Sequence, residues 1–138
     1  MIKFKAKLHE DVPKNRMLQL YRPKDDVDTV YLKLAEKTAG PEFVAKRDLE
    51  KGEEVEVTVK HNDIWAVEAG EDIEAGVPVV SGPGGTVVRD IRADDRQAYS
   101  IGYSINSAKK GELAQVVRSY RPSPLWVRRV NNLLEKGE

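Results

Sequence analysis

The residues of this sequence that could do chemistry are two histidines, two pairs of adjacent carboxylates and one glycine-rich segment. His9 and His61 are the two histidines and the chain has no cysteine, so thiolate metal sites are excluded and a zinc site would need more ligands of suitable type. Glu71-Asp72 and Asp94-Asp95 are paired acids, but both pairs fall in turn-like segments, and neighbours in a strand point to opposite faces. Ser81–Gly85 lacks the Gly-Lys-Ser/Thr ending of a phosphate-binding loop. We therefore predict no catalytic residue, no cofactor, no metal site and no enzymatic activity.

The residues most typical of a binding site are arginines and a tryptophan near the C-terminus. Arg118, Arg121, Arg128 and Arg129 occur with no acidic residue among them, and Trp126 lies between them. Arginine and aromatic side chains dominate the energetics of protein interfaces. One interpretation is an arm that docks on a partner protein, and the other is a cap over an open end of the core. The sequence leaves both open.

The elements that must position these residues are β-strands, because apolar and polar residues alternate along most of the chain. In the first strand the two kinds of residue occupy opposite faces, Ile2, Phe4, Ala6 and Leu8 against Lys3, Lys5 and Lys7. Further strands are predicted near residues 17–21, 30–34, 53–59, 63–68, 76–80, 85–89, 99–105 and 113–120. A Gly-Pro-Gly turn joins two of them in a hairpin, and Pro78 predicts an edge strand or a bulge there. In the strand over residues 99–105, alternation predicts one shared face for Tyr99, Ile101, Tyr103 and Ile105.

The last residues differ in kind from the rest. Ser123 can cap a helix with Pro124 at its first position, and Val127, Val130 and Leu134 follow at helical spacing. We predict a β domain over residues 1–121 and a short C-terminal helix or arm over residues 122–138.

A weak internal duplication divides the β domain near residue 60. The matched segments are Phe4–Val12 with Trp65–Ile73, Thr29-Val30 with Thr86-Val87, and Asp48–Glu53 with Ser107–Glu112. Each half then runs from a strand through a Glu-Asp-aliphatic turn to a Lys-Gly-Glu turn and a last strand. We predict pseudo-repeats over about residues 1–60 and 61–121, packed as one all-β sandwich or barrel.

Charge and hydropathy exclude several classes of protein. The chain carries 23 basic and 23 acidic residues, which argues against a nucleic-acid-binding protein with a globally basic surface. No apolar run reaches the roughly 18 residues needed to span a bilayer, so no membrane partner is expected. Basic ends around an acidic middle, residues 48–74, suit contact between copies or neighbours.

The order of motifs in the second half resembles a known family. Glu71–Val80 is followed by Gly85–Asp90, then by Ala98–Ser104, and last by Ala108–Val117 with its Lys-Gly-Glu turn and Val-Val strand. This sequence resembles small bacteriophage head decoration and head-fibre proteins. The resemblance implies a β-rich structural protein without catalytic residues, made in the host cytoplasm and placed on the capsid exterior.

The resemblance also implies partners. Such a protein binds the major capsid protein across neighbouring coat subunits and is often a homotrimer. We expect the contacts in the first strand and the C-terminal arm. The predicted partner-binding residues are Lys3, Lys5, Lys7, Arg118, Arg121, Trp126, Arg128, Arg129, Val130 and Leu134.

An alternative from another class is a β-barrel module that binds a ligand or nucleic acid. It requires a positive groove with exposed aromatic residues, for which Tyr99, Tyr103 and Tyr120 are the candidates.

Overall fold

The computed structural model describes residues 2–37, 40–59, 64–90 and 100–121, and the regular elements within them are β-strands apart from one 3-10 turn. The first half contains β1 (Ile2–Leu8), β2 (Met17–Tyr21), β3 (Tyr31–Leu34), β4 (Phe43–Val44) and β5 (Glu54–Val59). The second half contains β6 (Ile64–Glu68), β7 (Pro78–Ser81), a 3-10 turn (Pro83–Gly85), β8 (Val87–Arg89), β9 (Ser100–Ser104) and β10 (Leu113–Arg121). The predicted all-β fold with two similar halves is confirmed. The predicted C-terminal helix or arm, residues 122–138, lies outside the described residues.

The two halves share one circular strand order. The first sheet has the order β4-β2-β3-β1-β5, and the second has the order β6-β10-β9-β7-β8. If β6 to β10 are given the numbers of their counterparts β1 to β5, both sheets have the same cyclic order, β1-β5-β4-β2-β3. Within the described residues, the cycle of the first half is open between β5 and β4, which are not paired. The second opens between β8 and β6, where one parallel bridge joins Ala69 to Val87. Each half is therefore a curled, barrel-like sheet of five strands.

Backbone hydrogen bonds outside the strands also repeat between the halves. The matched pairs, first half before second, are Val12–Leu49 with Ile73–Ala108, and Gly52–Leu8 with Gly111–Ala69. Each of these bonds measures between 2.7 and 2.9 Å from nitrogen to oxygen. The equivalence therefore extends from strand order to individual backbone atoms.

One predicted match of the duplication is displaced by two residues. Val87 lies beside Ala69 as Leu32 lies beside Leu8, so Thr86-Val87 corresponds to Tyr31-Leu32 and not to Thr29-Val30. The reason is the connection between the two strands, which covers residues 22–30 in the first half and only 82–86 in the second. The two Thr-Val dipeptides therefore occupy different structural positions, and their identical sequence is a coincidence.

Each half has its own apolar core, filled from equivalent positions. The residue pairs are Leu8 and Ala69, Val12 and Ile73, Leu18 and Val79, Leu32 and Val87, and Leu49 and Ala108. The predicted face of β1 follows the expected alternation, since Ala6 and Leu8 are buried and Lys3 and Lys5 are exposed. Phe4 packs edge-on against Phe43, with ring centroids 5.8 Å apart.

The halves are joined at the start of β2. Arg16 donates from one guanidinium nitrogen to Glu68 and from another to the Gly84 carbonyl, each at 2.9 Å. Met17 and Ala35 belong to the first half by sequence but are buried in the core of the second. The backbone closes tightly here, because a Cβ on Gly85 would lie 2.6 Å from the Met17 carbonyl oxygen. One charged side chain, Arg16, and two apolar ones, Met17 and Ala35, therefore join the two halves.

Two local predictions in the second half are wrong. Pro78 does not lie on an edge strand, since β7 is paired with β8 on one side and β9 on the other. The proline is tolerated because it is the first residue of its strand. Ile101 and Ile105 do not share a face, since they are 4% and 45% exposed. Gly102 between them has φ +152° and lies against Val117, so the strand does not alternate there.

Candidate partner-binding surfaces

The predicted lysine face lies on the outer surface of the first half. β1 pairs antiparallel with β5, which sets Lys5 opposite Glu56 and Lys7 opposite Glu54. The ion pairs run diagonally, from Lys3 to Glu56 at 3.5 Å and from Lys5 to Glu54 at 3.8 Å. All four of these paired side chains are more than half exposed. Ion pairs so open to solvent contribute little to stability, so their partners can be exchanged at low cost.

The equivalent face of the second half is mostly apolar, a feature that the sequence analysis missed, and its polar members are Glu68 and Gln115. Ile64 and Ala66 occupy the positions of Lys3 and Lys5, while Leu113 and Val117 occupy those of Glu54 and Thr58. Ile64 is 56% exposed and Leu113 is 43% exposed. The internal duplication could have revealed this difference, because aligning Phe4 with Trp65 also aligns Lys3 with Ile64 and Lys5 with Ala66.

The predicted C-terminal site is only partly within the described residues. The Arg118 guanidinium lies 4.2 Å from the centroid of the Trp65 ring, a cation–π distance, and is half-buried there. Arg121 is paired with Ser100 after a register shift in β10. The remaining predicted residues, Trp126, Arg128, Arg129, Val130 and Leu134, lie outside the described residues. Arg118 therefore has a packing role of its own, whatever else it contacts.

In both halves, carboxylates of the Glu-Asp turns accept hydrogen bonds from backbone nitrogens. Glu71 accepts hydrogen bonds from the backbone and side-chain nitrogens of Arg89, each at 3.0 Å. The Arg89 hydrogen bond lowers the pKa of this carboxyl from its ordinary value. Asp72 accepts from the Lys110 backbone nitrogen at 2.9 Å. Asp11 accepts in the same way from Lys51 at 2.8 Å. These acids are therefore occupied by structural bonds, whereas Asp94-Asp95 lies outside the described residues.

The repeated Lys-Gly-Glu turn is likewise structural. Gly52 and Gly111 have φ +82° and +90°, a region that strongly favours glycine. The glutamate after each glycine accepts from a backbone nitrogen three residues earlier, Glu53 from Glu50 at 3.0 Å and Glu112 from Lys109 at 2.7 Å. The motif thus stabilises a tight turn through its glycine and its carboxylate.

In the part of the chain that the structure describes, the other candidate residues make no contacts typical of a catalytic or metal-binding site. The His9 ring lies against Tyr21, with centroids 4.0 Å apart, and His61 lies outside that part. No cluster of three or more His, Asp or Glu residues there could hold a metal ion. No helix there is long and apolar enough to cross a membrane. Of the tyrosines proposed to stack on bases, the side chain of Tyr103 alone is described, and it is half-buried.

Comparison with known proteins gives consistent matches. The family described as "Head fiber protein" matches residues 1–125. A curated relative, the head fiber protein of Bacillus phage Nf, is 30% identical over 119 residues, which is 86% of this chain and 44% of the relative. The chain thus spans less than half the length of that protein. The crystal structure of the head fiber gp8.5 N base of bacteriophage phi29 superposes with a TM-score of 0.74 at 29% identity. It covers 86% of this chain and 93% of that one.

Proposed function

We propose that this chain, which belongs to the phage head fibre protein family, is a structural and non-enzymatic component of a phage virion. It binds the outer surface of the head across neighbouring coat subunits and forms the part of a fibre nearest to the shell. The observation that carries this proposal is the agreement in fold and length with the phi29 N base, 93% of which is matched.

The described surface suits such a role. The acids of both repeats and the glycine turns are bound to their own backbone, so they support the fold and leave the surface strands to make contacts. A symmetric shell offers many identical sites, and several weak contacts made together sum to firm attachment. We propose the major capsid protein as the partner and a homotrimer as the attached form.

The proposed contact with the shell is the lysine face of β1, assisted by the C-terminal arginines. Lys3 and Lys5 already bind exposed glutamates of β5, and both sets of side chains can pair instead with charges on a coat subunit. Because exposed pairs are screened by salt, attachment through this face weakens as ionic strength rises. Arg121, Arg128 and Arg129 add positive charge at and after the end of β10 in the sequence.

The test is sedimentation of the purified chain with head shells that lack fibres. We expect saturable binding that Lys3→Glu with Lys5→Glu reduces at least about tenfold, the equivalent of about 1.4 kcal/mol. The matched control is Lys109→Glu with Lys110→Glu, which changes the net charge equally on an exposed turn of the second half. Equal loss in both double variants would refute the proposed face, and absence of binding by the unaltered chain would refute the proposed function.

A further inference from the structure

The outer face of the second sheet carries a row of apolar side chains across three strands. Strand register places Ile64 beside Val117 and Val117 beside Tyr103. Ile105 lies one row further on, where its backbone nitrogen donates to the Gln115 carbonyl at 2.9 Å. Leu113, Ile64 and Ile105 are each between 43% and 56% exposed. We call this set the apolar face: Ile64, Ala66, Tyr103, Ile105, Leu113 and Val117. One polar side chain, Gln115, lies among them between Leu113 and Val117.

The first half provides an internal reference for this surface. The positions of Ile64, Ala66, Leu113 and Val117 carry Lys3, Lys5, Glu54 and Thr58 there, and the two sheets have the same cyclic strand order. The fold therefore does not require apolar residues at these positions. A contiguous exposed apolar patch is unfavourable in water unless something covers it. The difference between the halves indicates that the apolar face has an occupant.

The segment best placed to be that occupant is the C-terminal one, residues 122–138. It leaves from Arg121 at the end of β10, the strand at the centre of the face. The stretch Pro122-Ser123-Pro124 favours a turn at that point. A tether this short holds a segment near its site at an effective concentration on the order of millimolar.

The length and pattern of the segment fit the face. Ten helical residues from 125 to 134 would span about 15 Å. The stretch of β10 from Leu113 to Val117 spans about 13 Å. On a helix, Trp126, Val130 and Leu134 would share one side. Arg128 would lie on the opposite side, directed to solvent.

We propose that residues 122–138 fold back over the outer face of the second sheet, with Trp126, Val130 and Leu134 against the apolar face. The segment then acts as a strap, and its arginines remain outward and available to a partner. The inference does not depend on the proposed function, because it concerns packing within one chain.

The test exploits the absence of cysteine from the chain. A single Gln115→Cys substitution on the apolar face carries a bimane fluorophore, which tryptophan quenches on contact. We expect the label to be quenched in the full chain and to brighten when Trp126→Phe is added. The matched control is a label at Glu56→Cys, the equivalent position of the first half, whose brightness should not respond to Trp126→Phe.

Several results would overturn the proposal. Equal brightness with and without Trp126 would mean that the segment does not lie on the face. Quenching that appears only when labelled Trp126→Phe protein is mixed with unlabelled protein would assign the face to a second copy. Ile64→Lys is a further check that restores the charge found in the first half: it should release the quenching, and circular dichroism should show an unchanged β fold. Retention of quenching in that folded variant would contradict the proposed contact.

Discussion

At the scale of single residues, the repeated motifs act by holding backbone. Asp11 and Asp72 each accept a hydrogen bond from a turn about forty residues away, at 2.8 and 2.9 Å. The sequence predicts these turns correctly, because glycine and acidic residues have strong local preferences. It does not predict which distant nitrogen each carboxylate would bind. The identity of that nitrogen depends on how the strands pair, and strand pairing could not be read from this sequence alone.

Gly102 is the position where a side chain is least tolerable. Its φ is +152°, and a Cβ built on it would lie 1.8 Å from the Val117 carbonyl oxygen. We therefore expect Gly102→Ala to lower the free energy of unfolding by about 3 kcal/mol or more. Urea denaturation measures this change. Gly40→Ala is the control, because nothing lies within 4 Å of that position. A cost at Gly102 no larger than the cost at Gly40 would contradict the backbone path described for β9.

Glu71 gives the fold a defined response to acid. The hydrogen bond from Arg89 lowers the pKa of this carboxyl below its ordinary value of 4.5. A carboxylate with a lowered pKa in the folded state stabilises the fold above the pKa of the unfolded chain, and this stabilisation is lost as the pH falls through the folded-state pKa. We expect melting temperatures measured from pH 7 to pH 3 to fall less steeply in Glu71→Gln than in the unaltered chain.

The comparison for this acid response is Glu50→Gln, an exposed glutamate in the repeated turn of the first half. Its melting profile should follow that of the unaltered chain. If both variants show the same acid dependence, Glu71 does not supply the effect.

At the scale of elements, Arg16 is the charged residue at the junction of the two halves, beside Met17, which is buried in the second core. Its guanidinium binds Glu68 and the Gly84 carbonyl, both in the second half. Arg16→Met keeps an unbranched apolar stem and removes both bonds. We expect a loss of about 2 kcal/mol, measured by urea unfolding, because hydrogen bonds to charged groups contribute more than neutral ones. Arg22→Met, at an exposed position outside the strands, should change the stability by less than about 0.5 kcal/mol. An equally small loss of stability in Arg16→Met would show that the hydrogen bonds from Arg16 to the second half do not stabilise the fold.

The strands themselves were largely predictable, and their exceptions have local causes. Alternation located β1 and β5 because one side of each sheet faces a core. It failed in β9, where Gly102 interrupts the pleat between Ile101 and Ile105. Pro78 was predicted to lie at an edge or a bulge because proline cannot donate a hydrogen bond in a ladder. The rule has an exception at the first residue of a strand, and Pro78 occupies that place.

At the scale of the whole molecule, the two halves have one strand order and two different surfaces. The first half presents paired charges, whereas the second has Ile64, Ala66 and Leu113 at the positions of Lys3, Lys5 and Glu54. Composition hides this division, because positive and negative residues cancel over the chain. The resemblance to head-fibre proteins was visible in the order of turns and strands. The surfaces were not, since register decides which residues become neighbours.

The central claim is that the chain attaches to the outside of a phage head, and electron cryomicroscopy of fibre-free heads incubated with purified protein tests it most directly. The account predicts new density at symmetry-related sites on the outer surface, seated between neighbouring coat subunits and fitted by the two five-stranded sheets. Heads that remain bare at saturating protein would contradict it. So would protein that instead binds single-stranded nucleic acid with a steep dependence on salt.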